Sequence, residues 1–169
     1  MMKQCVGLCV IMCLVLGFSG CLPDGEELCT KTVDTAPLGI PPALLARDVA
    51  DIDAYLAANN ITAVKDPQGV RYVVTQPGSS SDTPCLESRV RVIYTGKLLA
   101  TGDVFDSSAT PVEFRLAGLI TGWQIAFPKL ARGTKATLYI PSVLAYGSQA
   151  VGKIPPNSNL IFDVELIDF

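Results

Sequence analysis

The most informative absence in this 169-residue sequence is histidine, which occurs at no position. Without histidine the chain cannot form Ser-His-Asp triads, Cys-His dyads or His-ligated zinc sites. Basic residues are also few: 13 Lys and Arg are outweighed by 16 Asp and Glu, and the formal charge is −3. A chain without a basic field attracts the phosphate backbone poorly, so we exclude nucleic acid as a partner. No CxxC pair follows residue 20, which argues against thiol-redox catalysis.

The N-terminal residues have the layout of a secretory signal. Lys3 gives a short positive start, an apolar run extends from Cys5 to Phe18, and small residues precede Cys21. That run is short for a membrane span. The ending FSGC at residues 18–21 resembles the lipobox of bacterial lipoproteins, which implies that residues 1–20 are a signal peptide and that Cys21 carries a lipid. The alternatives are a secreted protein cut by the ordinary signal peptidase and an uncleaved anchor.

Two cysteines remain beyond the lipobox, Cys29 and Cys85. An isolated pair in an oxidising compartment predicts a disulfide, which would tie the N-terminal arm to the main domain. The alternative is a pair of free thiols.

The next segment combines a tether with a helix. Residues 21–42 are rich in Pro, Gly, Thr and acidic side chains and are typical of a tether, and Pro42 suits a helix start. Up to Ala58, apolar residues then recur at helical spacing: Leu45, Val49, Ile52 and Leu56. Asp48 lies off that stripe. We predict a helical extension over residues 43–67 that docks on its own domain, with dimerisation through the helix as the alternative.

From residue 68 onward the sequence is typical of strands interrupted by one short helix. Alternating or short apolar segments predict strands at 70–75, 89–99, 104–105, 112–116, 135–140 and 159–169. The helical segment has apolar residues at Trp123, Ala126, Phe127 and Leu130. The long connection at 141–156 suggests a functional loop. The predicted fold class is α+β, a twisted antiparallel sheet of five or six strands wrapped around a short helix and preceded by the N-terminal helix.

Six motifs occur in order in this region: VIYTG at 92–96, VFDSS at 104–108, LITGW at 119–123, AYG at 145–147, IPPN at 154–157 and LIFDVEL at 160–166. Together they closely resemble the FKBP-type peptidyl-prolyl cis-trans isomerase domain, over residues 68–169. The resemblance implies the family's half-wrapped sheet and isomerisation of Xaa-Pro bonds. That chemistry needs no nucleophile, metal or cofactor.

The resemblance also implies a proline pocket. Its catalytic residues would be Asp106, Tyr146, Trp123, Tyr94, Phe105 and Phe162. Further substrate contacts would come from Leu119, Ile120, Ile154 and Val112. Trp123 would be the floor, the Tyr146 hydroxyl and the Ile120 amide would donate to substrate carbonyls, and Asp106 would lie near the reacting amide. Each of these residues alone could be an ordinary core aromatic, turn or cap, so the argument depends on their joint occurrence.

Taken together, the patterns predict a lipid-anchored folding catalyst on the periplasmic side of a bacterial cell envelope. Its partners would be proline-containing segments of exported proteins, rapamycin-type macrolides and, through Cys21, a membrane. Leu22 after that cysteine favours the outer membrane. The alternatives are a non-enzymatic chaperone or binding module of the same fold and a structural lipoprotein with a collapsed pocket. No arginine lies between Ser108 and Phe114, which leaves the orientation of Asp106 open.

Overall fold

The computed structural model describes residues 29–169, so the predicted signal peptide and Cys21 lie outside the described residues. Within them, the strands are β1 (Val64–Lys65), β2 (Arg71–Gln76), β3 (Arg89–Leu98), β4 (Val104–Arg115), β5 (Lys135–Ile140) and β6 (Leu160–Asp168). They form one antiparallel sheet in the order β1-β2-β5-β6-β3-β4. The α-helices are α1 (Pro42–Ala58) and α2 (Thr121–Ala126), and short 3-10 helices occupy Ala36–Leu38, Leu116–Gly118, Phe127–Lys129 and Ser142–Leu144. The predicted fold class is confirmed.

Strand β4 differs from the two short strands that the sequence predicted. It runs without interruption, and irregular pairing with β3 absorbs the polar stretch in the middle: Val92 pairs with Val112, whereas Tyr94 pairs with Ser108. Residues 109–111 of β4 therefore lie opposite the single residue Ile93 of β3, as in a bulged pair. Because β4 is an edge strand, Pro111 needs no partner for its missing N–H.

Strand β1 lies inside the segment that the sequence assigned to the helical extension. It is only two residues long, which is too short to show a periodicity. Val64 pairs with Tyr72, so β1 extends the sheet beyond β2. The predicted boundary between residues 67 and 68 therefore falls within the sheet.

Apolar clusters lie on both faces of the sheet. The larger one packs α2 against β5 and β6 and includes Leu138 and Ile140. The smaller one packs Ile52 and Leu56 of α1 against Tyr139 and its neighbours. Because successive residues of a strand point to opposite faces, one strand serves both clusters. Helix α1 thus packs on the side of the sheet opposite α2.

Helix α1 buries one residue that the apolar stripe did not include. Ile52 and Leu56 are buried, but Asp48 is only 1% exposed as well. Its carboxylate accepts a hydrogen bond from Ser142 at 2.5 Å. Polar contacts with another segment explain this burial, and helical periodicity carries no information about them.

The N-terminal arm lies along the domain. Of the predicted tether at 21–42, the structure describes the part from residue 29 onward, and a disulfide joins Cys29 to Cys85. Val33 and Ile40 are partly buried against the larger cluster. In residues 29–169 no helix has the length and apolar character needed to cross a membrane.

Candidate functional site

A pocket of about 250 Å³ opens beside the start of α2. It is lined by Tyr94, Phe105, Asp106, Phe114, Gly118, Leu119, Ile120, Trp123, Tyr146 and Phe162. The volume is below the roughly 300–1,000 Å³ typical of sites for drug-sized ligands. The pocket therefore suits one ring-sized group of a longer molecule.

Trp123 lies at the centre of the aromatic packing around this pocket. Phe127 stacks on the indole with centroids 4.8 Å apart and planes 22° apart. The rings of Tyr94, Phe114 and Phe162 stand nearly perpendicular to it, at 84°, 85° and 83°, with centroids 5.7, 6.3 and 5.2 Å away. Edge-to-face contacts of this kind are a favourable aromatic geometry. The indole therefore forms a floor from which other rings rise.

Gly122 allows α2 to bring Trp123 close to the sheet. This glycine lies inside α2 and is buried. A Cβ atom at this position would collide with the side chain of Ile140 on β5. The glycine is therefore needed for the close approach of helix and strand.

Gly96 on β3 allows a similar close approach for two other residues of the pocket lining, Phe105 and Phe162. A Cβ atom there would lie 2.5 Å from Cζ of Phe105 and 2.9 Å from Cε1 of Phe162. These two rings meet edge to face, with centroids 5.5 Å apart. Both rings can approach the backbone of β3 this closely only because Gly96 has no side chain.

The rim of the pocket carries an acidic group and two phenols. The Tyr94 hydroxyl donates to Oδ2 of Asp106 at 2.7 Å. Burial, with the hydrogen bond and charge of Asp106, raises the pKa of Tyr94 to about 12. Burial and the same charge raise the pKa of Tyr146. Both phenols are therefore neutral donors at neutral pH, and Tyr94 orients the carboxylate that the sequence left without an arginine partner.

The second phenol is available to a ligand. Among the described residues, no group forms a hydrogen bond with the Tyr146 hydroxyl. Gln124 donates from Nε2 to the carbonyls of Leu119 at 2.7 Å and Ala117 at 3.2 Å, which fixes the loop before α2. Gln124 thus holds the segment that carries the predicted Ile120 contact.

Eight of the ten predicted site residues line the pocket together, and two do not. Ile154 lines an adjoining cavity of about 220 Å³ that shares Phe105, Asp106 and Tyr146 with the main pocket. Val112 lies on β4 opposite Val92 and, among the described residues, is not part of either lining.

Sequence reasoning missed Phe114 and Gly118 in the pocket lining. Phe114 follows Val112 by two residues and therefore shares its face of β4. The alternation of side chains along the strand therefore indicated Phe114 as well as Val112, and the aromatic Phe114 was the better candidate for the pocket lining. Gly118 lies in the 3-10 helix before α2 and gave no signal of its own.

Comparison with known proteins finds relatives of this chain. The family model for the FKBP-type peptidyl-prolyl cis-trans isomerase matches residues 81–167. The FKBP-type peptidyl-prolyl cis-trans isomerase FkpA of Escherichia coli (strain K12) is 44% identical over 103 residues, which cover 59% of this chain and 37% of FkpA. The peptidyl-prolyl cis-trans isomerase Mip of Coxiella burnetii is 43% identical over 120 residues, covering 68% of this chain and 51% of Mip.

The likeness extends to solved structures. The crystal structure of a peptidyl-prolyl cis-trans isomerase from Pseudomonas syringae pv. tomato matches with a TM-score of 0.63 and 31% identity, covering 81% of this chain and 96% of that one. The chain spans about half the length or less of these curated relatives. The family model covers about half of the sequence, including the strands that build the pocket. The chain belongs to the FKBP-type peptidyl-prolyl cis-trans isomerase family.

Proposed function

We propose that this chain is a peptidyl-prolyl cis-trans isomerase that acts on Xaa-Pro bonds of exported proteins. The observation that carries the proposal is the small aromatic pocket with Trp123 at its floor and neutral phenols at its rim. A proline ring matches the size and apolar character of this pocket. The amide that precedes the proline would then lie at the rim, beside Asp106 and Tyr146.

Such a pocket acts on the amide through desolvation. Rotation of the peptide bond crosses a barrier of about 18–20 kcal/mol, and it is slow because resonance must be broken. Resonance also gives the planar amide a large dipole, which shrinks when the bond twists. An apolar aromatic site therefore disfavours the planar state relative to the twisted one, which is the differential binding that catalysis needs. A thousandfold acceleration requires only about 4 kcal/mol.

Hydrogen bonds at the rim would add to this effect. The Tyr146 hydroxyl has no partner among the described residues and could donate to a substrate carbonyl. The amide of Ile120, at the start of α2, is the second predicted donor. Asp106 is oriented by Tyr94 and would face the reacting amide. None of these roles requires a nucleophile.

The adjoining cavity suggests where the residue before the proline would bind. Ile154 gives that cavity an apolar side chain, and Phe105 is shared between the two cavities. By family resemblance, we propose a preference for hydrophobic residues before proline and binding of rapamycin-type macrolides in the same pocket.

We also propose that the protein is exported and held at the periplasmic side of the envelope through a lipid on Cys21, with the outer membrane favoured. The apolar run before residue 20 and the lipobox resemblance support this proposal, as does a disulfide of the kind found in oxidising compartments. Replacing Cys21 with Ser should release the protein from the membrane fraction. Retention of that variant in membranes would exclude lipid anchoring through this residue.

The function is tested by measuring isomerisation of a Leu-Pro peptide by the oxidised chain, with and without rapamycin. We expect acceleration that the drug abolishes and that Tyr146→Phe and Trp123→Ala reduce. Tyr55→Phe is the matched control, because Tyr55 packs in the smaller cluster away from the pocket. A folded chain that binds rapamycin without accelerating isomerisation would refute the enzyme and identify a binding module.

A further inference from the structure

We infer that Asp48, on helix α1, is a positioning residue for Tyr146. The two residues are far apart in the sequence, and α1 precedes the segment that the family model matches. The inference rests on the proposed isomerase function of the pocket. It concerns how the rim donor is held at its place.

The carboxylate of Asp48 is buried and fully engaged. Its Oδ2 atom accepts from the Ser142 hydroxyl at 2.5 Å and from the Val143 amide at 3.3 Å. Its Oδ1 atom pairs with Arg47 at 2.7 Å. A buried carboxylate is tolerated only when such partners satisfy it. Asp48 therefore ties α1 to the segment at residues 142–143.

Ser142 passes this constraint to Tyr146. Ser142 is fully buried, and its carbonyl accepts from the amides of Ala145 at 3.0 Å and Gly147 at 2.8 Å. These are the two residues on either side of Tyr146. The position of the Ser142 backbone therefore fixes the backbone that carries the phenol.

Asn159 closes the same arrangement from the other end of the loop. Its Oδ1 atom accepts from the Ser142 amide at 2.8 Å, and its Nδ2 atom donates to the Asp48 carbonyl at 3.4 Å. The Asn157 amide donates to the carbonyl of Gly147 at 2.7 Å. Helix α1 and both ends of this loop thus meet at Asp48.

The docking of α1 does not depend on Asp48. Ile52 and Leu56 bury their side chains in the smaller cluster, and Asp53 pairs with Arg71 of β2 at 2.9 Å. Loss of Asp48 should therefore leave the helix in place while it removes one of the two side chains that hold Ser142. Small displacements of a catalytic donor can reduce the rate by orders of magnitude, so the effect should appear in activity.

A double-mutant cycle tests the link. Asp48→Ala should lower kcat/KM for the Leu-Pro peptide by about fivefold or more, and Asp48→Asn, which keeps one acceptor oxygen, should restore part of it. In the Tyr146→Phe background, Asp48→Ala should change kcat/KM by less than about twofold, because the donor it positions is gone. Asp51→Ala, exposed on the same helix, is the matched control and should have no effect.

Equal losses in the two backgrounds, or no loss in either, would overturn the inference. Amide exchange separates it from the proposed function. In Asp48→Ala, the Ala145 and Gly147 amides should exchange faster while those around Ile52 keep their protection. If the wild-type chain lacks isomerase activity while Asp48→Ala still shows this exchange pattern, the proposed function is refuted and the positioning role is retained. Unchanged exchange at both amides would refute the positioning. If Asp48→Ala fails to fold, Ser142→Ala removes the hydrogen bond between Ser142 and Asp48 from the other side and is held to the same outcomes.

Discussion

Removing the Cys29–Cys85 disulfide should lower the free energy of unfolding without dismantling the pocket. The two cysteines are separated by 56 residues, and the closed loop contains the arm, α1, β1 and β2. In the chain-entropy description, a cross-link of this span removes about 14 cal/mol/K from the unfolded chain, which amounts to about 4 kcal/mol at room temperature. That is a large share of the roughly 5–15 kcal/mol by which domains are stable.

The pocket should survive because backbone hydrogen bonds hold the segment around Cys85. The Leu86 amide donates to the Thr30 carbonyl at 2.8 Å, and the Leu86 carbonyl accepts from Ala117 at 2.8 Å. These bonds connect the arm to the 3-10 helix at Leu116–Gly118, which borders the pocket. They do not require the covalent bond. We therefore expect near-normal isomerase activity below the unfolding transition.

The assay is urea unfolding followed by the fluorescence of Trp123, comparing the oxidised chain with the Cys29→Ser, Cys85→Ser double variant. A difference of about 2–4 kcal/mol is expected, with a larger m-value for the double variant because its unfolded chain is less compact. A difference under about 1 kcal/mol would refute the entropic reasoning and would mean that the unfolded chain is already restrained in this region. Wild type under reducing conditions is the control for the serine substitutions and should match the double variant.

Three other changes give separate tests. Gly96→Ala should destabilise the fold by about 1–3 kcal/mol and reduce activity, because the new methyl group displaces Phe105; unchanged urea midpoint and activity would contradict this. Burial, with the Asp106 hydrogen bond, raises the pKa of Tyr94 to about 12, above the ordinary value of about 10. The contribution of Tyr94 to the free energy of unfolding should therefore be fully present below about pH 10 and be lost as the pH rises through 12. Tyr94→Phe should reduce this loss in urea titrations, and an identical pH profile in the variant would mean that other groups cause it. Leu56→Ala should cost about 2–5 kcal/mol in urea unfolding, yet leave kcat/KM unchanged at low temperature, since the residue lies in the cluster opposite the pocket.

Much of the pocket could be predicted because its residues belong to short motifs with strong local rules. Tyr94, Phe105 and Phe162 each lie on a strand, and Trp123 lies in a short helix. Local periodicity fixes the face on which such side chains lie. The motif order then supplied the family resemblance, which brought these elements to one place.

The parts that the sequence did not predict depend on contacts between distant segments. The bond between Asp48 and Ser142 joins residues 94 positions apart, and an aspartate on a helix is usually a solvated residue. The continuity of β4 depends on its irregular pairing with β3, which permits Pro111 within a strand. The need for Gly122 arises from Ile140 on another element. None of these leaves a periodic signal.

The architecture makes activity and stability hard to separate at the floor of the pocket and easy to separate at its rim. Trp123 is 4% exposed and packs against Phe127 in the main cluster, so truncating it creates a cavity as well as removing the floor. A loss of activity in that variant therefore has two causes. Tyr146 is partly buried and Asp106 is exposed, so their polar atoms can be altered without creating a cavity in the core. A substitution such as Tyr146→Phe, which keeps the ring and removes the hydroxyl, therefore reports on the chemistry. A loss of activity in a Trp123 variant can be interpreted only in comparison with it.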